Sequence, residues 1–61
     1  MKFAVGDRVR FLESSGHYTG ATGWVEQQPT ETDQQYHVRA ANGRQVYAGE
    51  KDLEHEPEGP L

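Results

Sequence analysis

The sequence predicts a small all-β domain of five short strands. Three observations carry this expectation. No stretch of the 61 residues keeps a helical period. Seven Gly and three Pro punctuate short apolar segments. Within those segments, apolar and polar residues alternate with the period of two that a half-buried strand requires.

The elements follow in chain order. Phe3, Val5, Val9 and Phe11 share odd positions, and Arg8 and Arg10 alternate with them. "VGD" reads as a turn or bulge leading into the first strand, "RVRFLE". "SSGHYTG" is a polar loop by composition. The second strand is "ATGWVEQQ", with Val25 on one face and Trp24 on the other. "PTETDQ" is again a loop. The third strand, "QYHVRA", sets Tyr36, Val38 and Ala40 on one face and His37 and Arg39 on the other. "ANG" turns the chain into the fourth strand, "RQVYA". "GEKD" is a single tight turn and "LE" opens a short fifth strand. The domain is expected to span 1–54. "HEPEGPL", residues 55–61, has two Pro, one Gly and two Glu, and reads as a disordered acidic tail.

The turn at Ala41-Asn42-Gly43 decides which face each side chain takes. A two-residue loop, Asn42-Gly43, sets Val38 opposite Tyr47 and puts Gln45 with the apolar set. A three-residue loop with Gly43 left-handed sets Val38 opposite Val46, Tyr36 opposite Ala48, His37 opposite Tyr47 and Arg39 opposite Gln45. The second register keeps apolar with apolar, and Gly suits the left-handed position. A slip of one residue would flip a whole face, so burial selects this register. Val46 then closes the core. His37, Arg39, Gln45 and Tyr47 stand on an outer face; with Trp24 on the same side, two aromatics gather there, and clustered aromatics mark binding surfaces.

Size and charge bound the function. A chain this short buries only about 60% of the surface its unfolded form exposes. It has no Cys, so neither disulfides nor thiolate zinc can stabilise it. Association is a remaining route to more buried area, and a homo-oligomer is expected. The lack of Cys is compatible with the cytoplasm, the expected compartment. No apolar run approaches the roughly 20 residues that span a bilayer, and "MKFAVGDRVR" lacks a signal-peptide apolar region, so neither secretion nor membrane insertion is expected. The net charge is −4. Through Leu53, six basic residues meet seven acids, and Glu54, Glu56 and Glu58 supply the rest. Arg8, Arg10 and Arg39 with aromatic neighbours make the kind of patch that binds single-stranded nucleic acid. The near-neutral domain and acidic end argue against that partner.

Five strands in about fifty residues, "VGDRVR" and "GATGWV" together resemble an SH3-like barrel, as in Tudor-like and KOW-like modules. That architecture hosts many functions. A closer resemblance is to the type II dihydrofolate reductases, the small plasmid- and integron-borne barrels that confer trimethoprim resistance. It rests on "GDRVR" (Gly6–Arg10), "GW" (Gly23-Trp24), "QVY" (Gln45–Tyr47) and "LE" (Leu53-Glu54), and covers most of the chain up to Glu54. It implies four barrels around a shared pore that binds NADPH and dihydrofolate. Gln45 would orient both ligands, the backbone of Val46 would contact the nicotinamide, and Tyr47 would line the wall. The family carries a Lys directly after "GDRVR", facing the anionic ligands. This chain has Phe11 there, and a neutral aromatic does not replace an ammonium.

Other chemistry is poorly served. The separations of His17, His37 and His55 match no compact metal-ligand motif. Ser14, Ser15 and His17 have no group to orient the imidazole. "SSGHYTG" lacks the Lys of a phosphate loop. From the residues alone, the expectation is a non-catalytic module with no cofactor. It would bind itself, a protein or a small molecule through the outer face of the third and fourth strands.

Overall fold

The computed structural model describes residues 1–57. Its strands are β1 (Arg8–Phe11), β2 (Thr22–Gln27), β3 (Tyr36–Ala40), β4 (Gln45–Ala48) and β5 (Leu53–His55). They form one antiparallel sheet in the order β4-β3-β2-β1-β5. Among the described residues the two outer strands do not pair with each other, so the sheet is open.

The core draws on every strand. Val9, Phe11, Val25, Tyr36, Val38, Ala40, Val46, Ala48 and Leu53 are buried, with Phe3 from the N-terminal segment. Val9, Val25 and Val38 are fully shielded. A single flat sheet cannot do that; the open sheet must curl over its inner face. Gly23 lies in the middle of the sheet, paired with Val9 on one side and Ala40 on the other. A Cβ at Gly23 would collide with the carbonyl oxygen of Arg39, so only glycine lets the strands approach this closely.

The β3–β4 hairpin takes the three-residue loop. Val38 faces Val46, Tyr36 faces Ala48, His37 faces Tyr47 and Arg39 faces Gln45. Gly43 has φ 90°. Its N–H donates to Ala40 O at 2.9 Å, and Ala40 N–H donates to Arg44 O at 2.8 Å. Asn42 Oδ1 accepts from the Arg44 N–H at 3.0 Å, which ties the loop further.

Three expectations shift and one holds. Val5 does not join Phe3 inside; it is 63% exposed. Gly6 at φ 92° and the Asp7 N–H to Ala4 O bond of 3.0 Å make a tight turn that resets the alternation. The segment read as a loop is a 3-10 helix, Glu13–Tyr18, kinked at Gly16. It carries Tyr18 against Phe11, ring centroids 5.8 Å apart. "GEKD" is the single tight turn expected, a 3-10 turn over Glu50–Asp52 closed by the Asp52 N–H to Gly49 O bond of 3.0 Å. The boundary expected at 54/55 also moves. His55 belongs to β5, opposite Val9, and Glu56 N–H donates to Arg8 O at 3.0 Å. The ladder with β1 holds them despite the polar composition. Residues 58–61 of the expected tail lie outside the described residues. No helix among the described residues is long and apolar enough to cross a membrane.

Candidate functional site

The sheet register assembles the outer face in rows. Arg8 pairs with Trp24, Trp24 with Arg39, and Arg39 with Gln45, one residue from each of β1 to β4. The next row is Gln27, His37 and Tyr47. A bulge between Val25 and Gln27 separates the two rows on β2 and leaves room for Glu26. All five residues expected on this face, Trp24, His37, Arg39, Gln45 and Tyr47, are therefore brought together. Trp24 is 39% exposed and Tyr47 55%.

Glu26 is the hub of the polar groups here. Its carboxylate accepts from Arg39 Nε at 3.3 Å and pairs with the same guanidinium at 3.2 Å. It also accepts from Gln45 Nε2 at 3.3 Å. Gln45 Oε1 in turn accepts from the Tyr47 hydroxyl at 3.4 Å. Arg39 reaches back to the hairpin loop, donating to Gly43 O at 2.8 Å. Both ends of the Gln45 amide are thus engaged, which fixes its orientation on the sheet.

A second cluster adjoins it. The His37 and Tyr47 rings lie 4.5 Å apart at 45°. His37 Nε2 lies 2.6 Å from Asp33 Oδ2. Asp33 also accepts from the Gln35 N–H at 3.2 Å. The His37 and Gln35 hydrogen bonds hold the Asp33 carboxyl below its ordinary range. The imidazole therefore ties the loop between β2 and β3 to the outer face.

Glu26 and Asp33 are the site residues that the sequence reading missed. Glu26 was within reach, since it lies two positions beyond Trp24 in the same strand. Asp33 sits in an aperiodic loop, and no pattern points to it.

The remaining candidates fall elsewhere. Phe11 is 1% exposed and packs in the core, so its position offers nothing to the outer surface. Val46 is likewise inward. Its backbone is directed at Val38, because bonded pairs alternate along an antiparallel ladder and the Ala40 N–H to Arg44 O bond sets the phase. The resemblance implies a nicotinamide contact from that backbone; here the backbone groups at the free edge are those of Gln45 and Tyr47. Each arginine of the outer patch is matched by an acid: Arg8 with Glu56 at 3.1 Å, Arg10 with Glu54 at 2.7 Å, and Arg39 with Glu26. The histidines stand apart. His37 is on Asp33, and His55 is 3.3 Å from Asp7. Ser14 and Ser15 donate to Asp52 Oδ1 at 2.5 Å and Leu12 O at 2.6 Å, which ties both hydroxyls into the loop.

No protein-family model, curated protein or solved structure matches the chain.

Proposed function

We propose that this chain is a small binding module that associates with itself through the outer face of β3 and β4. The observation that carries this reading is the pairing of two exposed aromatics, Trp24 and Tyr47, with a hydrogen-bonded polar group on one face. Aromatic anchors among satisfied polar groups are the composition of interface cores. A domain of this size also gains more from added buried area than a large one does. Sedimentation velocity over a wide concentration range tests it. The wild type should form a dimer or larger species, and Trp24→Ala should weaken that species. A strict monomer at high concentration would remove self-association. Unaltered assembly of Trp24→Ala would remove Trp24 from the interface.

A second reading is an NADPH-dependent dihydrofolate reductase whose site forms only between copies. The alternation that turns Gln45 and Tyr47 outward around an inward Val46 favours it. Gln45 would orient the ligands, after releasing Glu26, and Tyr47 would line the wall. Arg44 is the one basic residue flanking the motif. Absorbance of NADPH with dihydrofolate, in the presence of trimethoprim, is the assay. No turnover at micromolar protein would sink this reading and leave the first intact.

A further inference from the structure

β4 is an edge strand with nothing guarding it. Natural edges carry charges, Pro, bulges or very short strands that block pairing with another chain. Gln45, Val46, Tyr47 and Ala48 include no charge and no Pro, and their register with β3 has no bulge. The other edge, β5, is three residues long and carries Glu54.

The hairpin phase shows which backbone groups this edge presents. Ala40 N–H donates to Arg44 O, so Val46 and Ala48 turn their backbone groups to β3, while Gln45 and Tyr47 turn theirs away. Among the described residues, no backbone group of Gln45 or Tyr47 has a partner outside β3. Gly49 is extended, at φ −75° and ψ 161°, and follows the line of the strand; its carbonyl accepts from the Asp52 N–H at 3.0 Å, which leaves one lone pair and its N–H for a partner strand.

The flanking charges suit a second copy in one register. Arg44 lies just before β4 and Glu50 just after Gly49. Neither has an ion-pair partner among the described residues, though Glu50 Oε1 accepts from the Lys2 N–H at 3.2 Å. An antiparallel two-fold centred on Tyr47 sets Tyr47 against the same residue of the other copy and Gln45 against Gly49. Val46 then meets Ala48 on the core side, and Arg44 meets Glu50 at both ends. Centring on Val46 instead sets Arg44 against Ala48 and leaves both charges unmatched. Opposed residues share a face, so the apolar inner layers and the outer Tyr47 rows become continuous across the seam.

We infer that the copies join edge to edge through β4, antiparallel about a two-fold axis at Tyr47, with Arg44 of each paired to Glu50 of the other. Such an isologous contact closes at two chains, because each edge is consumed by its mate. The inference rests on the chain associating with itself, and it seats the contact on the β4 edge, where Tyr47 of the outer face takes part and Trp24, two strands away, does not.

The test separates the backbone edge from the side-chain face. Gln45→Ala removes the side chain and keeps the N–H; Gln45→Pro removes both, at a position whose N–H is outside the β3 ladder. Sedimentation of both should show Gln45→Pro monomeric and Gln45→Ala weakened by no more than its side chain's share. Circular dichroism checks that each folds. Arg44→Glu or Glu50→Arg alone should weaken the dimer roughly tenfold, since two ion pairs become two like-charge contacts, and the double variant should restore it. This charge series also decides the matter if Gln45→Pro does not fold. A wild type that is monomeric throughout overturns both the self-association reading and this geometry. A wild-type dimer in which Gln45→Pro behaves as Gln45→Ala, or in which the double variant stays weak, overturns the edge geometry alone.

Discussion

Asp33 and Asp7 are carboxylates whose hydrogen bonds in the fold favour the charged form. Asp33 accepts from His37 and from the Gln35 backbone. Asp7 accepts from the Ala4 N–H at 3.0 Å and lies 3.3 Å from the His55 ring. For Asp7 the Ala4 hydrogen bond is the larger cause, followed by His55; for Asp33 it is His37, followed by Gln35. Both carboxyls titrate below their ordinary value of 3.8 in the folded chain. Through that window the unfolded chain therefore binds more protons. The contribution of these groups to stability is full above the ordinary carboxylate range and is lost as pH falls through the lowered values. Urea unfolding between about pH 2 and pH 6 should show this acid limb, and Asp33→Asn should flatten it. An Asp33→Asn limb as steep as the wild type would refute the role given to the His37 contact. Residues on strands were legible in the sequence because alternation fixes their side. His37, Arg39, Gln45 and Tyr47 came out together for that reason. Asp33 did not, since its partnership with His37 depends on the path of a loop with no period.

At the scale of the element, one glycine determines the site. Gly43 at φ 90° lets the loop hold three residues, and the three-residue loop directs Val46 inward and Gln45 and Tyr47 outward. The register was legible because only one of two loop lengths paired apolar with apolar. The Val5 placement was not, because a turn of one residue more or less before Asp7 changes the parity and no opposing strand is named by the sequence. The open space around Gly43 means that a Cβ would meet no neighbour, so a substitution there acts through backbone strain alone. Gly43→Ala should cost about 1–2 kcal/mol, the usual penalty for an L-residue in left-handed backbone. Equilibrium denaturation reads this directly. Gly43→Asn should cost less, since Asn tolerates that region better. An alanine variant as stable as the wild type would show that the loop relaxes to the two-residue form, and loss of the Gln45 to Glu26 contact should then accompany it.

At the scale of the whole molecule, the sheet needs a peg from outside itself. Phe3 precedes every strand, yet it is fully buried. Its ring meets Tyr36 edge-on at 5.3 Å and the His55 ring at 4.7 Å. Its N–H donates to the Tyr36 hydroxyl at 3.3 Å, and its carbonyl accepts from Gln28 Nε2 at 2.8 Å. These contacts join the start of the chain to β3, to the end of β2 and to β5, so one residue braces three separate parts of the sheet. Phe→Ala in a core typically costs about 3–5 kcal/mol. At roughly 0.05–0.15 kcal/mol per residue, a chain of this length holds about 3–9 kcal/mol in all. Phe3→Ala therefore removes about a third or more of the total stability and should lower the denaturation midpoint sharply. Phe3→Leu keeps most of the apolar volume and should lose much less. The denaturation midpoints of the two variants check this. If association adds stability, both midpoints should rise with protein concentration, by mass action. A Phe3→Ala chain with the wild-type midpoint would mean that the sheet encloses its core without the N-terminal segment, and that Tyr36 and His55 repack over the gap.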